Sequence, residues 1–109
     1  MNEYTSLKRQ KDFLDVYRQG IHKRNSYIVL FRKENGLPYN RYGVSVSKKV
    51  GNSVMRHRMI RMTREAFRHW DHHFDRNYDF VVSWKKYDSA LKSGDVLEMI
   101  RKLYEKGSH

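Results

Sequence analysis

The sequence predicts a small α+β domain with elements in the order α-β-β-α-β-α. Three helical stretches repeat apolar residues every three to four positions, and three strand-like runs are short and rich in β-branched or aromatic residues. The 109 residues suffice for one domain and one modest core, read as a single domain over 1–109. No internal repeat, linker or low-complexity segment interrupts them. Gly107-Ser108-His109 reads as an appended cloning remnant.

Thr5-Ser6-Leu7-Lys8 starts a first helix, expected over roughly Lys8 to Arg18 and ended by Gly20 as the C-terminal cap. Phe13 and Tyr17 stand one turn apart on it, beside Val16. Ser26 to Arg32 alternates as a strand, with Tyr27, Val29 and Phe31 on one face and Ile28 and Leu30 on the other. Glu34-Asn35-Gly36-Leu37-Pro38 supplies turn chemistry. Arg41 to Ser47 is a second strand, and the two are expected to pair as an antiparallel hairpin. Gly43, Ser45 and Ser47 make one face of that strand small enough for close approach of another element or a ligand. Tyr78 to Trp84 is a third strand. Ser93-Gly94-Asp95 opens a last helix to about Lys106, with Val96, Leu97, Ile100, Leu103 and Tyr104 as its apolar face.

The central helix begins near Asn52 or Ser53, either of which has the short polar side chain of an N-cap. At about 100° per residue, Met55, Met59, Met62, Thr63, Ala66, Phe67 and Trp70 share one side. His57, Arg61, Arg64 and Arg68 line the other as a single stripe, flanked by Arg58 and Glu65. Like charges at this spacing repel by a few tenths of a kcal/mol, roughly, per pair, which a purely structural face would relieve with interleaved acids. An almost wholly cationic face therefore points to an anionic partner, and guanidinium groups suit phosphate.

Composition agrees. Lys and Arg total 23 against 12 acids, a formal net charge of +11. That excess implies a polyanion, with nucleic acid favoured over a membrane. No apolar run is long enough to span a bilayer and no signal-peptide pattern opens the chain, so the expected location is cytoplasmic. The absence of cysteine excludes disulfides, thiolate metal sites and Cys nucleophiles. His69 and His73 have the spacing of two zinc ligands, but no third ligand stands near, and they read as surface histidines. Asp12, Asp15, Glu65, Asp71, Asp75 and Asp79 are scattered and mostly adjoin Lys or Arg, so they read as counter-charges. Phosphate-loop and dinucleotide glycine patterns are absent.

The run Gly43-Val44-Ser45-Val46-Ser47-Lys48-Lys49-Val50-Gly51-Asn52-Ser53-Val54-Met55-Arg56-His57-Arg58, followed by Arg61, Arg64, Ala66 and Phe67, resembles the bacterial ribonuclease P protein component. Phe13, Tyr17, Gly20 and the strand from Tyr78 extend the resemblance over nearly the whole chain. It implies a mixed four-stranded sheet with a left-handed βαβ crossover, contrary to the general right-handed rule. It also implies a non-catalytic protein, monomeric within its ribonucleoprotein, whose large RNA partner uses Mg²⁺ to cut the 5′ leader from precursor tRNA. Carried over by position, Lys48, Lys49, Asn52, Arg56, Arg58, Arg61 and Arg64 match the family's RNA-binding motif, and His57 and Arg68 belong to the same stripe. Phe13, Tyr17 and Phe31 match a cleft that receives the single-stranded leader. Two positions depart from the family pattern: His57 replaces the usual Asn, and Ile60 replaces a basic residue.

The residues by themselves allow a similar reading, since unstacked bases need aromatic faces beside a basic groove. Taken alone they favour ordinary core for Phe13, Tyr17 and Phe31, and it is the resemblance that favours the cleft. Among other functions, a ribosomal or other structural RNA-binding protein fits the charge and the helix. A DNA-binding regulator lacks the short helix expected before its recognition helix. A metal-dependent protein nuclease lacks its acid cluster.

Overall fold

A computed structural model describes residues 4–106 of the chain; Gly107-Ser108-His109 lies outside them. The elements are α1 (Gln10–Gln19), β1 (Ile21–Arg24), β2 (Ile28–Glu34), β3 (Arg41–Ser45), α2 (Ser53–Arg68), β4 (Tyr78–Trp84) and α3 (Ser93–Lys106). The strands form one mixed sheet in the order β1-β2-β4-β3. β2 runs antiparallel to both β1 and β4, and β3 runs parallel to β4 with α2 as the connection between them.

Two expectations about the strands change here. The order is α-β-β-β-α-β-α, because β1 was not visible as a strand. All four of its residues, Ile-His-Lys-Arg, are exposed at the sheet edge, so no buried face imposes a period of two on them. The resemblance had implied this fourth strand where the residues alone did not. The hairpin between β2 and β3 is also overturned: β4 lies between them. Phe80, Val81 and Val82 are all buried, so β4 needs cover on both faces and takes a central position.

The loop from β2 to β3 straddles the entry of β4 and is tied to it by amides. Asn35 N–H donates to the Asn77 carbonyl at 3.1 Å. Asn77 Nδ2 donates to the Leu37 carbonyl at 2.8 Å, and Tyr78 N–H donates to Asn40 Oδ1 at 2.7 Å. Gly36 makes the turn with φ of 66°, a conformation that a side chain disfavours.

Alternation along β4 assigns the two faces. Phe80, Val82 and Trp84 join Ile28, Leu30 and Tyr42 under α2 and α3, where Met59, Phe67, Val96 and Ile100 are fully buried. Thr63 sits in this core as a relay: its Oγ1 donates to the Met59 carbonyl at 2.7 Å and accepts from Trp84 Nε1 at 2.9 Å. The opposite face is covered by α1 and the segment before it, where Val16 and Leu7 pack on Val81. Thr5 to Leu7 does not begin the helix as expected. It lies along β3, with Tyr42 N–H donating to the Thr5 carbonyl and Leu7 N–H to the Tyr42 carbonyl, each at 2.8 Å. Gly20 does end α1, yet in extended conformation. Its hydrogen faces the Val16 and Arg32 carbonyls, where a Cβ would stand 2.6 and 2.7 Å from their oxygens.

Asp79, 3 % exposed, is the buried acid of the sheet. Arg41 grips it with two guanidinium bonds of 2.8 and 2.6 Å, and Asn35 Nδ2 donates to it at 3.0 Å. The hydrogen bond to Asp79 is the main reason the Arg41 pKa is raised. Asp12 reaches the same guanidinium at 3.5 Å, so these acids are counter-charges, as expected. Arg41→Ala strands the buried carboxylate and is expected to cost about 3 kcal/mol in urea denaturation. Adding Asp79→Asn to that variant should recover part of the loss, because a neutral amide has less to lose from burial.

Candidate nucleic-acid interface

The helix α2 folds because Asn52 caps it, its Oδ1 accepting from Met55 N–H at 3.0 Å. Its apolar side falls as the periodicity requires, with Met59, Met62, Thr63, Ala66 and Phe67 buried. His57, Arg61, Arg64 and Arg68 are all exposed on the outer side. Arg68 lies over the Tyr4 ring at 5.2 Å and within 4.0 Å of Glu65, the helix's one acid. Glu65 is held at 2.7 Å by His69, so that histidine has a carboxylate neighbour rather than a metal-ligand set. Among the described residues no three His, Asp or Glu side chains gather into a metal site.

The structure separates the arginines into two groups. Arg56 donates to the Gly51 carbonyl at 3.0 Å, clamping the turn that precedes its own helix. Arg58 donates to the Leu91 carbonyl at 2.5 Å and to the Tyr87 hydroxyl at 3.4 Å, and its guanidinium lies 5.9 Å from the Tyr87 ring. It ties α2 to the β4–α3 loop. Both are half-buried, as is Ile60, whereas Lys48 and Lys49 project from the turn before the cap. Arg61→Ala should therefore leave the melting temperature nearly unchanged. Arg58→Ala should lower stability by about 1.5–3 kcal/mol, the worth of charged hydrogen bonds; thermal melts of the pair check this.

A second feature lies between α1 and the sheet. Phe13 rests directly on Gly43, whose missing Cβ would stand 2.6 Å from the ring. The small face of β3 is thus used for close approach of α1. Phe13 and Tyr17 are 6.5 Å apart between centroids, Tyr17 meets Phe31 edge-on at 4.9 Å, and His22 tilts against Phe31 at 5.4 Å. The first three rings are half-buried. They pack on Leu7, Val16 and Val81 without being fully enclosed. A groove of about 380 Å³ runs beside them, lined by Lys8, Gln10, Phe13, Leu14, Tyr17, Val44 and Ser45.

Register extends this groove beyond what the sequence could place. Arg24 stands opposite Val29, Val29 opposite Ser83, and Ser45 beside Ser83. Opposed residues share a face, so these four form one row across all four strands, next to the row of rings. None of the four is buried. A floor of small residues with a cation at one end suits a single strand of nucleic acid lying across the sheet. No local signal marks Ser83 or Val29, because their place depends on which strands pair.

An unbalanced basic helix on one face of a small α+β sheet, with an aromatic groove on the other, is the construction of a single-domain nucleic-acid binder. The family profile described as Ribonuclease P matches residues 1–107. A "Ribonuclease P protein component" of Alkaliphilus metalliredigens is 35% identical over 112 residues, covering 94% of this chain and 96% of that protein. Another, of Lachnoclostridium phytofermentans, is 46% identical over 77 residues, covering 71% of this chain and 66% of that protein. The RNase P protein of Staphylococcus aureus superposes with a TM-score of 0.81 at 24% identity, covering 97% of both chains, and so shares the fold. The chain belongs to the ribonuclease P protein family.

Proposed function

We propose that this protein is the RNA-binding subunit of a bacterial ribonuclease P, holding the catalytic RNA through the turn at Lys48 and the outer stripe of α2. In the same complex the groove beside α1 receives the 5′ leader of precursor tRNA. The observation that carries this reading is continuity. The chain leaves the groove lining at Val44 and Ser45 on the edge strand, passes through the exposed Lys48 and Lys49, and enters the Asn52 cap and the exposed stripe of α2 on the other face of the sheet. An RNA body on α2 and a single strand on the rings would then meet around the β3 edge of the sheet.

Within that reading the roles divide by chemistry. Lys48, Lys49, His57, Arg61, Arg64 and Arg68 present donors to phosphate. Asn52, Arg56 and Arg58 shape the surface through their internal bonds and add to its positive field. The rings stack bases, and mature tRNA, lacking a leader, makes no such contact. The family resemblance supports catalysis by the RNA subunit, with Mg²⁺ supplying charge stabilisation there; the protein aligns substrate and RNA. The location is taken as cytoplasmic, where precursor tRNA is made; no helix among the described residues is long and apolar enough to cross a membrane.

Reconstitution tests this reading. Purified protein should restore cleavage of precursor tRNA by ribonuclease P RNA at low Mg²⁺ and should cleave nothing alone. Cleavage by RNA-free protein that persists through nuclease controls would overturn the assignment of catalysis.

Arg61→Ala and Arg64→Ala should each weaken binding to the RNA subunit and flatten its log–log salt dependence by up to about one unit, the signature of one lost phosphate contact. A salt titration with circular dichroism as the folding control reads the result.

Phe13→Ala and Tyr17→Ala should weaken holoenzyme binding of precursor tRNA by about 1–3 kcal/mol per lost stack while sparing mature tRNA. If the rings acted only as core, the loss would appear as fold stability, about 3–5 kcal/mol for Phe13→Ala, and would affect both RNAs alike.

A further inference from the structure

We propose that the single-stranded RNA track does not end at Phe31 but continues over the edge strand β1, where His22 offers a further stacking face and Arg24 a phosphate contact. This rests on the reading of the α1 groove as the leader site, and it adds one nucleotide subsite to it.

His22 stands opposite Phe31 in the sheet register, and its ring centroid lies 5.4 Å from that of Phe31 at 39°. The rings of Phe13, Tyr17, Phe31 and His22 therefore form one unbroken series crossing from above β3 to β1. The series becomes more open along its length: Phe13, Tyr17 and Phe31 are half-buried, and His22 is exposed. An exposed ring on an edge strand adds little to the core, yet it presents a face to a base already aligned by Phe31.

Arg24 repeats the logic in the neighbouring row. It shares its face with His22, two residues away along the strand, and it closes the row that begins at Ser45 and passes through Ser83 and Val29. It is exposed and makes no ion pair among the described residues. Ile21 and Lys23 alternate to the other face, on which α3 packs, so the strand presents only His22 and Arg24 to the groove side. A ring and a cation spaced this way match the base and phosphate of one nucleotide. The sequence hid the pair because β1 carries no buried residue to mark it as a strand.

The test compares the holoenzyme's affinity for precursor tRNA and for mature tRNA in wild type, His22→Ala, His22→Phe, Arg24→Gln and Tyr17→Ala, with precursor leaders lengthened one nucleotide at a time. The expected result is a loss of about fivefold or more for His22→Ala. It should appear at one leader length, persist at all longer ones, and leave mature tRNA unaffected. His22→Phe should restore the affinity, because stacking needs the ring and not the imidazole. Arg24→Gln should lower the salt slope of precursor binding by up to about one. A loss for Tyr17→Ala with none for His22→Ala overturns the extension and leaves the groove reading standing. No loss for either variant overturns the groove reading and the extension together. Equal losses for precursor and mature tRNA with His22→Ala overturn the proposal, since the contact would then be with the body of the RNA.

Discussion

The strand β4 is the constraint on which the rest of the structure depends. Phe80, Val81 and Val82 are consecutive and fully buried, so the strand must be covered on both faces and paired on both edges. Satisfying it places α1 on one side and α2 with α3 on the other. It also separates β2 from β3, and that separation makes the β3–α2–β4 connection a crossover between parallel neighbours. A parallel pair cannot be joined by a tight turn, so a long connecting helix is required. The basic helix is thus on the outside of the sheet for a reason of chain connectivity, and its charged stripe faces outward because its other side closes the main core.

The two sides of the sheet are covered unequally, and function follows from the inequality. Two helices and many aromatic rings fill the side of Phe67, Trp70, Phe80 and Tyr104. One ten-residue helix covers the other, and it leaves the row of Ser45, Ser83 and Val29 only half-buried. Phe13 and Tyr17 hold α1 to the sheet with one side of each ring and line the groove with the other. Packing against the core and lining the groove are therefore not exclusive for these side chains. Gly43 is what permits it, by letting the Phe13 ring settle against the backbone of β3.

On α2 the arginines are specialised by depth. A guanidinium that is half-buried must satisfy its donors, and Arg56 and Arg58 do so on backbone carbonyls. They stiffen the turn before the helix and the loop beside it. Arg61 and Arg64 have no acid within ion-pair distance among the described residues. A field built this way costs some self-repulsion, which a bound polyanion would relieve.

Much of this was legible from residues alone. The three helices, the stripe of His57, Arg61, Arg64 and Arg68, the buried side of α2 and the small face of β3 follow from periodicity, because an amphipathic element writes its burial into its spacing. The family resemblance rested on the run from Gly43 to Arg58 and implied the fourth strand. What the residues did not reveal is pairing. β1 has no buried side to leave a pattern, and the turn residues after Glu34 would serve a hairpin as well as they serve the loop around β4. Strand partners are chosen by the burial of distant segments, so only the tertiary structure decided that Ser45, Ser83, Val29 and Arg24 share a row, that His22 continues the rings, and that Arg58 spends its donors on Leu91. Local sequence determined which surfaces each element offers; the need to bury β4 on both faces decided which of them meet and which stay open to a ligand.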